Sequence, residues 1–106
     1  MGNVRVATAA ELEFMPRDRR RVFFSGRVQG VGFRFTCQSL ARGFEVAGFV
    51  RNLPDGRVEL VAEGESGELD AFLASIRHEM STYIKNVTTE PEPADAIPLV
   101  EFSVRH

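Results

Sequence analysis

The chain has 106 residues, 43% of them hydrophobic and 26% charged, which is the profile of one soluble globular domain with a single core. Its formal net charge of −2 removes the long-range positive field that nucleic acid or an anionic membrane surface would need, so any anion site must be local. The lone cysteine, Cys37, can neither close an intramolecular disulfide nor complete a zinc site, which fits a cytoplasmic location, and no run of about 18 apolar residues is available to span a membrane.

Residues 1–18 read as a flexible or weakly helical extension, because Met1 to Pro16 mix Ala, Glu and Arg and lack the apolar core of a signal peptide. The folded domain is expected at 19–106. Between Arg19 and Arg27, Val22, Phe23 and Phe24 are bounded by arginines and a glycine, which predicts a buried strand. The stretch Gly26 to Arg34 follows as a glycine-bearing loop. From about Phe33, the spacing of Phe33, Cys37, Leu40, Ala41 and Phe44 predicts an amphipathic helix that Gly43 stops. Val46, Gly48 and Val50 alternate with Ala47, Phe49 and Arg51, and Pro54-Asp55-Gly56 then turns the chain into Val58, Leu60 and Ala62, a β-hairpin. Ser66 is the expected cap of a second helix whose face carries Leu69, Phe72, Leu73, Ile76 and Met80. Tyr83 to Glu90 is rich in β-branched residues and reads as a strand, Pro91 to Asp95 as an acidic loop, and Val100, Phe102 and Val104 as a last strand. The order β-α-β-β-α-β with an added terminal strand predicts an α+β, ferredoxin-like sandwich, a mainly antiparallel sheet with two helices on one face. Fold by itself does not assign function.

The loop carries the chemistry. Gly30 and Gly32 open backbone angles closed to other residues, so successive N–H groups can converge on one anion just ahead of a helix N-terminus. Arg34 stands at the rim, where a guanidinium can make two charge-assisted hydrogen bonds to a phosphoryl group. A tight strand-to-helix turn followed by a surface arginine is the plainer alternative. No Walker sequence is present, so the loop is not a nucleotide cradle of that kind. Cys37 falls on the apolar face of its helix and reads as core packing. His78 and His106 read as solvated positions, Asp55 as a turn former, and no carboxylates show metal-ligand spacing. Arg27, Arg42 and Arg51 read as solvated, with Arg27 and Arg51 raising the local positive potential.

A phosphatase built from these residues would lack an evident nucleophile, metal or general acid, which selects for a good leaving group. An acyl phosphate qualifies, because its carboxylate has a conjugate acid with a pKa of roughly 4 and departs without a proton. The remaining task is to bind the phosphoryl oxygens and place a water in line. A neutral group that both donates and accepts suits the water, and Asn52 at the end of the second strand is the candidate; an asparagine before Leu-Pro-Asp-Gly is equally an ordinary turn residue.

Gly26-Arg27-Val28-Gln29-Gly30-Val31-Gly32-Phe33-Arg34 resembles throughout the signature loop of the acylphosphatase family, and Gly48-Phe49-Val50-Arg51-Asn52 resembles its second motif. The resemblance covers about 19–106 and implies a small ferredoxin-like enzyme that hydrolyses the carboxyl-phosphate bond of small-molecule acyl phosphates with no metal and no cofactor. It implies that Arg34 binds phosphate, that the backbone of Gln29, Gly30, Val31, Gly32 and Phe33 cradles it, and that Asn52 orients the attacking water, whose proton the phosphate itself can accept. The expectation is a monomer with no nucleic-acid and no membrane partner, since Phe23 and Phe49 read as packing residues rather than base-stacking ones. Leu53 stands where some family members carry threonine, so support for the Asn52 amide must come from elsewhere. The alternative is a non-catalytic anion-binding or regulatory ferredoxin-like module, of the kind found inside larger carbamoyl-phosphate-using proteins, which the lack of a further domain disfavours.

Overall fold

The computed structural model describes residues 17–93 and 99–106; the expectations for Met1 to Pro16, and for Ala94 and Asp95 of the acidic loop, lie outside the described residues. In chain order the elements are β1 (Arg17–Gly26), α1 (Phe33–Ala41), β2 (Val46–Asn52), β3 (Val58–Glu65), α2 (Ser66–Glu79), β4 (Ile84–Glu92) and β5 (Phe102–Arg105). The strands form one sheet in the order β4-β1-β3-β2-β5, antiparallel throughout except that β5 runs parallel to β2. This is the expected ferredoxin-like α+β arrangement. Arg17 and Asp18, assigned from sequence to the extension, are in fact the first residues of β1, opposite Glu65 and Gly64. Pro91 and Glu92, assigned to a loop, continue β4 opposite Arg20 and Arg19.

Period-two alternation puts Val22 and Phe24 of β1, Val58, Leu60 and Ala62 of β3, and Val50 of β2 on the face that both helices cover. Helical spacing supplies Phe33, Cys37 and Ala41 from α1 and Leu69, Phe72 and Ile76 from α2, all buried. Aromatic rings pack across these layers, Phe24 on Phe33 at 4.9 Å between centroids and Phe72 on Phe102 at 5.4 Å, in the tilted and edge-on geometries that ring quadrupoles favour.

The other face of the sheet carries no helix, yet β3 is buried there too. Glu59 and Glu63 are only 3% and 2% exposed because arginines from the neighbouring strands lie over them. Arg19 donates from Nε and Nη2 to Glu63 Oε1 at 2.8 and 2.6 Å, and Glu59 accepts from both Arg21 and Arg51. Buried carboxylates are tolerated only when paired in this way, and the arginine stems add apolar cover. Arg51, read from sequence as solvated and raising the local positive potential, is exposed, but its charge is matched by Glu59 on the opposite face of the strand from Asn52. Phe23 and Phe49 do pack, but against guanidinium groups: Arg57 and Arg105 lie 4.5 and 3.6 Å from their ring centroids.

The cap of α2 also differs from expectation. The extended residue before the helix is Glu65, and its carboxylate accepts from the N–H groups of Gly67 and Glu68, each at 3.1 Å. Ser66 is one position too late to cap; its hydroxyl donates instead to Asp18 Oδ2 at 2.6 Å, which together with Arg20 holds the Asp18 carboxyl below the usual carboxylate range.

Gly48 has φ 151°, and a Cβ built there would lie 1.9 Å from the Val61 carbonyl oxygen. Gly48→Ala is expected to cost at least about 2 kcal/mol in urea denaturation, more than Gly32→Ala, where only the left-handed angle opposes a side chain, at about 1–2 kcal/mol. Burial pushes the Cys37 thiol up to about 12 from 9.0. The unfolded thiol thus ionises first, and the stability contributed by the protonated Cys37 is full below pH 9.0 and lost as pH rises toward about 12. Native Cys37 should resist a thiol reagent until the protein unfolds, and Cys37→Ala should show a shallower loss of stability across that alkaline range.

Candidate active site

Because β1 and β2 both pair antiparallel with β3, they run parallel to one another, and β5 runs parallel to β2. Their three C-terminal ends consequently meet at one end of the sheet. The loop 27–32 leaves β1 there, Asn52 ends β2 there, and Arg105 and His106 close β5 there. No two of these segments are neighbours in sequence.

The loop is pinned at both ends by core residues, Val28 at 0% and Phe33 at 2% exposure. Between them Gly30 and Gly32 take φ 78° and 77°, left-handed angles that turn the backbone into α1. Gly32 is the N-cap of α1, no side chain caps it, and the first turn holds no acidic residue. Among the described residues, none of the N–H groups from Gln29 to Phe33 donates to a backbone carbonyl, so the loop and the positive end of the helix present uncommitted donors. Gln29 has a different task. Its side-chain amide donates to the carbonyls of Leu53 and Arg57 at 2.8 and 2.9 Å, tying the loop to the β2–β3 turn beside Asn52. The same turn is closed by Leu53 N–H donating to Arg57 at 2.8 Å. This backbone locking is what the chain offers at the position where threonine support is lacking.

A cleft of about 360 Å³ opens at this end of the sheet. Gly30, Gly32, Phe33, Arg34 and Asn52, all singled out from sequence, line it together with Val28. Gln29 and Val31 do not; the Gln29 amide faces the turn and Val31 packs against the core. Among the described residues no hydrogen bond engages the Asn52 side-chain amide, which is half-buried on the cleft wall. Arg34 Nη1 lies 3.3 Å from the Arg105 carbonyl oxygen and 3.2 Å from His106 Nδ1. A guanidinium only donates, so Nδ1 is the acceptor and His106 carries its proton on Nε2. Arg34 is thereby held by neutral groups, and its positive charge is not cancelled by a carboxylate.

Phe35, Gln38, Val104 and His106 complete the lining, and sequence reasoning missed all four. The signal for His106 was present in the alternation Phe102, Val104, His106, which sends it to the helix-covered face; what could not be read was that β5 lies beside β2. His78 lies exposed in the last turn of α2, as expected. Asp55 is a turn residue, accepting from Arg57 N–H at 3.0 Å and from its Nε at 2.8 Å, and these bonds keep its carboxyl below the ordinary range. Cys37 is fully buried with its ionisation suppressed, which rules out a thiolate nucleophile. Among the described residues no three His, Cys, Asp or Glu side chains gather to hold a metal ion, and no helix is long and apolar enough to cross a membrane.

The sequence and the fold have counterparts among known proteins. Residues 20–104 match the Acylphosphatase family profile. An acylphosphatase of Rubrobacter xylanophilus is 50% identical over 78 residues, 72% of this chain and 70% of that protein, and one of Roseiflexus sp. is 59% identical over 60 residues, 57% of this chain and 64% of that protein. The crystal structure of the Bacillus subtilis acylphosphatase superposes with a TM-score of 0.73 at 30% identity, covering 83% of this chain and 98% of that one. The family match spans most of the chain and the fold agrees with it, and the chain belongs to the acylphosphatase family of enzymes.

Proposed function

We propose that this protein hydrolyses the carboxyl-phosphate bond of small-molecule acyl phosphates in the cleft at the ends of β1, β2 and β5. The observation that carries the reading is the meeting, in one cleft, of Arg34, the uncommitted loop N–H groups and an unengaged Asn52 amide, brought there by three separate elements. The phosphoryl oxygens accept from the N–H groups of Gln29 to Phe33 and from the Arg34 guanidinium, which exchanges its neutral partners Arg105 and His106 for the anion. The Asn52 carbonyl and amide orient a water toward phosphorus. As the water oxygen bonds to phosphorus, the bond to the acyl oxygen breaks, the carboxylate leaves with the electron pair, and a phosphoryl oxygen takes the water proton. Charge on the equatorial oxygens is met by donors already in place, so little reorganisation is needed in the transition state. The reaction so written uses one copy of the chain and no nucleic acid, metal or cofactor, and a cytoplasmic location suits its single reduced thiol.

Arg34→Ala and Asn52→Ala should each lower kcat for acetyl phosphate by about 10²-fold or more, measured as phosphate release in chelator, while the urea midpoint stays close to the parent value. Competitive inhibition by inorganic phosphate should weaken in Arg34→Ala and persist in Asn52→Ala. Equal rates in all three proteins would sink the mechanism, and phosphate binding without turnover in the parent would favour the non-catalytic anion-binding module. Gln29→Leu leaves two turn carbonyls without their donor; a stability loss of about 1–3 kcal/mol and a drop in kcat with little change in phosphate inhibition are expected.

A further inference from the structure

The cleft is larger than the phosphoryl site needs. Its volume of about 360 Å³ falls in the roughly 300–1,000 Å³ range of sites that hold a whole small molecule. In the hydrolytic reading the loop and Arg34 take the phosphoryl oxygens and Asn52 takes the water. An in-line displacement puts the leaving oxygen on the far side of phosphorus from that water, so the acyl group is directed away from Asn52. The polar and aromatic wall that remains consists of Phe35, Gln38 and His106.

Phe35 is the unusual member. It is 71% exposed, and every other aromatic side chain among the described residues is buried or half-buried. A single exposed apolar side chain needs no explanation by itself. This one directly follows Arg34 on the first turn of α1 and lines the same cleft, where its ring is open to a bound molecule. Gln38, one turn further along the helix, contributes an amide, and His106, released when Arg34 turns to the phosphoryl group, contributes its imidazole. A ring with two neutral hydrogen-bonding groups beside it suits a flat acyl group with a carbonyl oxygen.

We propose that Phe35 is the specificity-determining residue of an acyl subsite, and that it favours acyl phosphates with an aromatic acyl group over acetyl or carbamoyl phosphate. This rests on the hydrolytic reading of the cleft. Stacking of an aromatic acyl group on Phe35 acts on substrate binding, whereas the phosphoryl donors and the water are untouched. Phe35 is accordingly a determinant of KM between substrates and not of the chemical step.

The test compares the parent with Phe35→Ala and Phe35→Tyr, reading KM and kcat for benzoyl and acetyl phosphate, and dissociation constants for the non-hydrolysable benzoylphosphonate and acetylphosphonate by titration of the loop amides. Phe35→Ala should raise KM for benzoyl phosphate and weaken benzoylphosphonate binding by about fivefold, with acetyl phosphate and acetylphosphonate changing less than about twofold. Phe35→Tyr should retain the parent preference. Equal changes for both acyl groups, or no preference between the two phosphonates in the parent, would overturn the subsite. Absent turnover with a Phe35-dependent preference for benzoylphosphonate would overturn the hydrolytic reading and leave the subsite standing.

Discussion

Strand β3 lies between two strands that both run against it, and that pairing decides where the chemistry can sit. With β1 and β2 antiparallel to β3, their C-terminal ends are forced to the same edge of the sheet, and β5, parallel to β2, sends its own end there too. A loop that follows β1 is thus brought against the last residue of β2 and the tail of β5. The position is secured because β3 is buried on both faces from Val58 to Gly64, with Val58, Leu60 and Ala62 under the helices and Glu59 and Glu63 under arginines. A register slip of one residue would carry the glutamates into the apolar core, so the ion pairs and the hydrophobic face specify the same alignment.

The arginines divide by partner. Arg19, Arg21 and Arg51 are bound to carboxylates on the helix-free face, and Arg20 to Asp18 and Asp70. Arg34 instead rests on a carbonyl and an imidazole. In a chain of net charge −2, this difference leaves a local positive site where the overall field provides none. The resting contacts of Arg34 are weaker than an ion pair, so they can position the guanidinium while allowing an anion to replace them.

The loop and the turn are mechanically joined by Gln29. Its two hydrogen bonds cross from the cradle to the carbonyls on either side of the β2–β3 turn, and the Asn52 backbone leads straight into that turn. The loop backbone and the Asn52 side chain thereby share one rigid support, which the proposed reaction needs in order to hold phosphate and water at attack distance. Left-handed Gly30 and Gly32 shape the cradle without side chains in the way, at no steric cost to the backbone.

Much of this was legible in the chain itself. Element types, their order, the helix-facing core and the loop with Arg34 followed from periodicity, turn residues and the left-handed angles that glycine permits, because those are local properties. The cap at Glu65 was misassigned to Ser66 since neighbouring residues compete for one helix end, and only the backbone angle of Glu65 settles it. The fate of Arg51, the stacking of Arg57 and Arg105 on phenylalanines, the tether of Gln29, and the arrival of Phe35 and His106 at the cleft were not legible. Each depends on which strands lie side by side and on which face a side chain emerges. The sequence by itself determined the parts of the cradle and the chemistry they allow; strand pairing decided that Arg34, Asn52 and His106 share one cleft, because contacts between residues dozens of positions apart exist only once β3 has aligned its neighbours.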